Sequence, residues 1–209
     1  MRKFNIPYGL LVILIILGTL LVILARQDSF LMWDENAHLA NARSYLGEAN
    51  YEEIWRFPAM GLTVASIWAA TGESILVGRL LTILFSLASV VIFYLVGKKY
   101  FDETNATVLA AIFAFSTQVL FWGFRVYPDI PAMFFVLLAF YLLLENRFML
   151  AGIVSTLAFL YKYPAGLFVI AVLVWLLTRK QFKSGLNYAF ASLLTALPWL
   201  IYNQVAKGD

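Results

Sequence analysis

FNIPYGLLVILIILGTLLVILA, residues 4–25, runs its whole length without a charged side chain. A helix needs about 20 apolar residues to cross the roughly 30 Å hydrocarbon core of a bilayer, and this run supplies them. Arg2 and Lys3 precede it, as they would in a secretory signal peptide. The apolar core of such a peptide is only about 7–15 residues long, and no small-x-small cleavage pattern follows. The stretch reads as a retained first transmembrane helix, and it fixes lipid as the solvent for everything after it.

Composition agrees. The 209 residues are 63% hydrophobic and 13% charged, about half the charge of a soluble domain. The formal charge of +3 is the excess expected when Lys and Arg are kept in cytoplasmic loops. No RNA- or DNA-binding pattern accompanies it, so nucleic acid is not an expected partner. The absence of cysteine excludes disulfides, thiolate metal sites and a cysteine nucleophile.

Charge-free runs predict spans near 6–25, 80–97, 104–124, 130–144, 148–161, 163–178 and 184–206. The fold expected is an all-α polytopic membrane helix bundle of about seven spans, a single module over 1–209. The fourth to sixth runs are short, suiting small tilt or a locally thinned interface. The apolar stretch 58–72, PAMGLTVASIWAATG, is shorter than a span and is expected to lie on or dip into the outer interface.

Arg2/Lys3, Lys98/Lys99, Arg147 and Arg179/Lys180/Lys183 flank alternate ends of these runs. With a cytoplasmic amino terminus all four clusters fall inside, as the positive-inside rule requires. The loops 26–79, 125–129 and 162 then lie outside, the first carrying juxtamembrane helices. Asp34, Arg125, Asp129 and Lys162, distant in sequence, would meet at that one face. No ionisable group sits mid-span, unlike ion or proton transporters. Chemistry at a rim suits a substrate with its head in water and its tail in lipid.

Three clusters can carry chemistry there. In DENAHLANARSYL, residues 34–46, Asp34 reads as the N-cap of a helix from about 35, with Glu35 in the first turn. An interfacial helix with an acidic cap is the plain alternative to a catalytic role. Asp34 and His38, four apart, could also hold a divalent cation. In FRVYPDIPAMFF, residues 124–135, Pro128 and Pro131 bracket Asp129 in a tight loop, with Pro131 suited to the first helical position. In FLYKYPAGLF, residues 159–168, Lys162 interrupts an apolar stretch. It is either a snorkelling interfacial lysine or a cation held for a phosphate. Asn105-Ala106-Thr107 matches a glycan acceptor sequon but falls on the cytoplasmic side of this topology.

The order of these features resembles the GT-C glycosyltransferases of the protein O-mannosyltransferase and aminoarabinose-transferase type. The resemblance rests on the acidic pair Asp34-Glu35 after the first span, followed by HLANARSYL and the Pro-led FPAMGLTVASIWAATG. VGRLLTILFSLASVVIFYLVGKKYF, YPDIPAMFFVLLAFYLLL and LAFLYKYPAGLFVI continue it. It runs from about residue 8 to 183. Family members are usually longer, so the resemblance implies an amino-terminal transmembrane module, whether a fragment, half of a split enzyme or a minimal version, in which the later spans and a later partner cation have no counterpart.

That resemblance implies a polyprenyl- or dolichyl-phosphate sugar as donor and a hydroxyl on protein, lipid or glycan as acceptor. It implies Asp34 as general base, with inversion at the anomeric carbon. Lys162, with Arg125, would stabilise the leaving phosphate; Asp129 would orient the sugar or hold a cation such as Arg125; Glu35 would bind substrate or neutralise Arg43 or Arg56. His38 completes the substrate-binding set. No cofactor is required, a divalent cation being the one alternative. A lipid flippase, or a non-catalytic subunit of a split enzyme, are the rival readings.

Overall fold

The structure is a computed structural model and describes residues 6–48 and 56–207. The basic pair Arg2/Lys3 therefore lies outside the described residues. Within them the chain is all helix: α1 (Tyr8–Gln27), α2 (Trp33–Tyr45), α3 (Pro58–Thr71), α4 (Ile75–Gly97), α5 (Glu103–Ala114), α6 (Thr117–Trp122), α7 (Asp129–Leu144), α8 (Phe148–Tyr161), α9 (Gly166–Thr178) and α10 (Phe182–Lys207). A 3₁₀ turn, Tyr163–Ala165, joins α8 to α9.

Three helices among the described residues, Tyr8–Gln27, Ile75–Gly97 and Phe182–Tyr202, are long and apolar enough to cross a membrane; α7, α8 and α9 are apolar but shorter. Although α1 is apolar all round, it buries one stripe, Leu10, Ile13, Leu17, Leu21 and Ala25, against α4 and α5. It leaves Leu11, Ile15, Ile16 and Ile23 exposed. Outward apolar faces of this kind fit a lipid surround.

Two expectations need correction. Residues 104–124 do not form one unbroken helix: they divide into α5 and α6 at Phe115–Ser116. The Ser116 hydroxyl accepts from the Val119 N–H at 3.5 Å, a local bond that competes with the helical ladder. And α4 begins at Ile75, not near 80, so Arg79 lies inside the helix. A charge-free criterion stops at an arginine; the fold instead carries it in, buried and paired.

The ends of the helices sort into two sets. At one end the Lys99 ammonium pairs with Glu145, tying the close of α4 to the close of α7. Leu142, Phe148, Leu176 and Tyr188 cluster there too, bringing in the 145–147 and 179–181 connections. At the other end lie the close of α1, all of α2 and α3, the start of α4, the 123–128 segment and the 162–165 turn. With 16 residues, α7 is about 24 Å long, roughly 6 Å short of a bilayer core. The Lys99–Glu145 contact joins its far end to the close of α4, and Asp129 sits at its start.

Close helix contacts sharpen the bundle. A Cβ on Gly61 of α3 would lie 2.9 Å from the Tyr45 ring of α2, so glycine lets the two short helices pack face to face. Together they seat Leu39, Ala42, Met60, Val64 and Trp68 against Val126, Ala132 of α7 and Tyr161 of α8.

Candidate active site

Helix α2 starts at Trp33 with Met32 in the capping position. Asp34 is thus a first-turn residue and not the cap; its side chain is freed from the helix end and turns to Arg56, whose Nη2 donates to Oδ1 at 2.6 Å. Helix α7 likewise starts at Asp129, two residues before Pro131, with Pro128 as its cap. Asp129 is thus in the first turn and not in a loop ahead of the helix, and Pro131 is the third helical residue rather than the first; the helix dipole favours an acid there. The Asp129 Oδ1 accepts from the Lys162 ammonium at the close of α8.

These pieces meet. Asp34, His38, Arg56, Tyr127, Asp129 and Lys162 line one cleft of about 170 Å³, walled also by Tyr161 and Tyr163. His38, one turn after Asp34, is 2% exposed. The Tyr127 hydroxyl donates to the Met32 sulfur at 3.8 Å, and Trp122 packs on its ring with centroids 4.6 Å apart. Burial first, then the Asp34 and Glu35 carboxylates, push the Tyr127 phenol up, so it stays a proton-bearing donor at neutral pH.

Glu35 and Arg125, both expected among the groups that touch substrate, are placed elsewhere. The Glu35 side chain is fully buried and pairs with Arg79 at 3.1 Å, neither Arg43 nor Arg56. Its Oε1 accepts from Arg79 Nε and from the Val126 N–H, each at 3.1 Å, and Oε2 from Arg79 Nη2 at 3.3 Å. The rest of the guanidinium donates to the carbonyls of Ala25, Asp28 and Phe30. One buried pair thereby fixes the close of α1, the approach to α2, the start of α4 and the loop leading to Asp129. Arg125 pairs with Asp28 at 2.7 Å, with its guanidinium over Phe121 and Phe124 at 4.3 and 4.5 Å. It does not line the cleft, and Asp129 holds Lys162 in its place. Arg43 binds Glu73.

Sequence reasoning therefore missed Arg79, Asp28 and the cleft position of Arg56. Arg79 carried a readable signal: an arginine one turn inside a long apolar run needs a buried acid. Arg56 and Asp28 offered none, since each is one charge among several in a polar loop. Among the described residues no group of three or more His, Cys, Asp or Glu side chains could hold a metal ion. The Asp34 carboxylate faces Arg56, and among the described residues the cation site considered for Asp34 with His38 gains no third ligand.

Two apolar grooves adjoin the cleft. One of about 490 Å³, shared at Tyr161, runs along Pro58, Leu62, Phe135, Leu157 and Trp199. Another of about 590 Å³, shared at Tyr163, runs along Phe159, Leu167, Ile170 and Leu193. In the wall of the first groove Tyr161 bonds Thr63 across hydroxyls 2.6 Å apart. The arrangement offers carboxylates and cations in a small polar cleft, with room for long apolar chains on either side.

Comparison with curated proteins and with solved structures returns no match. A family match spans residues 58–202, taking in Arg79, Asp129 and Lys162 and leaving Asp34, Glu35 and Arg56 on its amino-terminal side. More than half of the chain is covered, and the matched family is the dolichyl-phosphate-mannose-protein mannosyltransferases, to which this chain belongs.

Proposed function

We propose that this integral membrane protein transfers a hexose, mannose by family, from a polyprenyl- or dolichyl-phosphate carrier to a hydroxyl on protein, lipid or glycan. Transfer takes place at the extracytoplasmic face with inversion of the anomeric carbon. The observation that carries the reading is the meeting of Asp34, Asp129 and Lys162 in one cleft between apolar grooves, in a chain of this family.

The acceptor oxygen attacks the anomeric carbon from the side opposite the phosphate. The carbon–oxygen bond to phosphate breaks, and its electron pair leaves with the carrier. Asp34 takes the proton the hydroxyl loses; a positioned base of this kind contributes roughly 10²–10⁴-fold. The departing phosphate gains negative charge, and the Lys162 ammonium, already placed at the cleft, stabilises that charge as it develops. Before the donor arrives, Asp129 holds that ammonium at the cleft. Glu35, sealed behind the cleft, positions Asp34 through the shared first turn of α2 and contacts no substrate. The grooves suit the carrier's polyprenyl tail, so that its phosphosugar head reaches the cleft from the lipid side.

Membranes containing the chain, supplied with labelled dolichyl-phosphate mannose and a hydroxyl acceptor, test the reading. Donor-dependent label in product with the opposite anomeric configuration is the expected result. Absence of donor-dependent transfer across protein, lipid and glycan acceptors would overturn it.

A further inference from the structure

Both carboxylates of the cleft are already spoken for. Asp34 is tied to Arg56 and Asp129 to Lys162, and among the described residues these are the arginine and the lysine that line it. A carrier phosphate entering such a cleft finds its cations engaged, and the proposed base finds Oδ1 engaged as well. We propose that donor binding is an ion-pair exchange: the phosphate draws Arg56 and Lys162 away from their carboxylates, and Asp34 is released by that same event to accept the acceptor's proton. Arg56 thereby becomes a phosphate ligand. The inference rests on the glycosyltransferase reading above and assigns the order of events within it.

Burial separates pairs that can exchange from one that cannot. Side-chain exposures are 21% and 44% for Arg56 and Asp34, and 40% and 23% for Lys162 and Asp129. Pairs this open are weak, and water can solvate a carboxylate left behind. The pair sealed behind the cleft, Glu35 with Arg79, is 0% and 4% exposed; parting it would strand charge in the core. It stays fixed while the other two rearrange.

Charge development then drives the exchange further. The bound donor is a phosphodiester with one negative charge, whereas the departing carrier phosphate is a monoester with a second charge forming. The pull of Arg56 and Lys162 toward phosphate is therefore strongest in the transition state, where it accelerates the reaction. A guanidinium suits the task because its planar fork matches two phosphate oxygens at once. The exchange also couples the steps: the base is available only once a donor phosphate is seated.

Equilibrium binding of dolichyl phosphate to the purified full chain in detergent tests this, with uncharged dolichol as the reference ligand. Asp34→Asn keeps the side-chain shape but removes the carboxylate that competes for Arg56, so it tightens dolichyl phosphate binding by roughly three- to fivefold. Arg56→Gln weakens it by about tenfold or more and abolishes the gain in the double variant. Dolichol affinity stays the same throughout, which shows that the variants are folded. An Asp34→Asn affinity equal to or weaker than wild type overturns the exchange, as does an Arg56→Gln variant that binds normally. Inorganic phosphate giving the same shifts would assign the cleft to free phosphate and overturn its role in donor binding. Wild-type protein that does not prefer dolichyl phosphate to dolichol would instead remove the lipid-phosphate reading itself, and the exchange with it.

Discussion

Glu35→Ala separates architecture from chemistry at two adjacent acids. In the native structure Glu35 receives three hydrogen bonds, two from Arg79 and one from the Val126 N–H. Removing the carboxylate leaves a guanidinium 4% exposed without its counter-charge and a buried backbone N–H without an acceptor. Breaking a buried ion pair from one side costs about 3–5 kcal/mol. For a chain of this length each kcal/mol moves the unfolding midpoint by about 2–4 °C, which gives a fall of roughly 6–20 °C. Asp34→Asn touches a pair that is partly open to water and costs about 0–1 kcal/mol, a shift of at most about 4 °C. Thermal unfolding of both variants in one detergent, followed by loss of helical signal, makes the comparison. Equal midpoints for the two variants, or a Glu35→Ala midpoint within 2 °C or so of wild type, would refute the division of labour between them.

Other consequences are as specific. A Cβ at Gly152 would fall within 3.0 Å of the Tyr188 carbonyl oxygen, forcing α8 from α10 and straining the Ser155–Tyr188 hydroxyl bond of 2.6 Å. Gly152→Ala should cost about 1–3 kcal/mol by thermal unfolding. Gly185→Ala, whose Cβ would meet only Leu176 at 3.8 Å, is the control and should be near neutral. The hydrogen bond from Arg43 holds the Glu73 carboxyl below the usual carboxylate range. A carboxyl depressed in the folded state stabilises above its unfolded value and loses that contribution as pH falls through the folded one. Stability should therefore decline below about pH 4 with a slope that Arg43→Gln makes shallower; an unchanged slope would deny the pairing. Single cysteines introduced at positions 34, 129 and 162 should react with an impermeant thiol reagent in intact cells. Those at 99 and 180 should be protected, and the reverse pattern would invert the proposed orientation.

Much of this architecture was legible because lipid leaves few options. Once residues 4–25 are read as a span, the charge-free runs predict helices, and α8 occupies the residues expected of it, Phe148–Tyr161. The alternation of basic clusters predicts which connections share an end, and Lys99 with Glu145 pins one such end. The failures have physical causes. A run without charge cannot show Arg79, whose burial depends on an acid 44 positions earlier. Nor can it show the division at Ser116, whose hydroxyl caps the start of α6 by accepting from the Val119 N–H. The candidate site was readable as a set of loops but not as a set of pairs. Asp129 reads from the sequence as orienting the sugar or holding a cation such as Arg125, the nearer one, yet Lys162 reaches it because α7 and α8 pack side by side and antiparallel. Asp28 captures Arg125 from the opposite flank. Pairing among several charges in polar loops is settled by helix packing, and that lies beyond local sequence.

Sugar transfer by the Asp34→Asn variant decides whether the Asp34 carboxylate takes the acceptor's proton. With dolichyl-phosphate mannose saturating and the unfolding midpoint close to wild type, the account predicts a loss of transfer of roughly 10²–10⁴-fold. An amide variant that transfers mannose at the wild-type rate would contradict it.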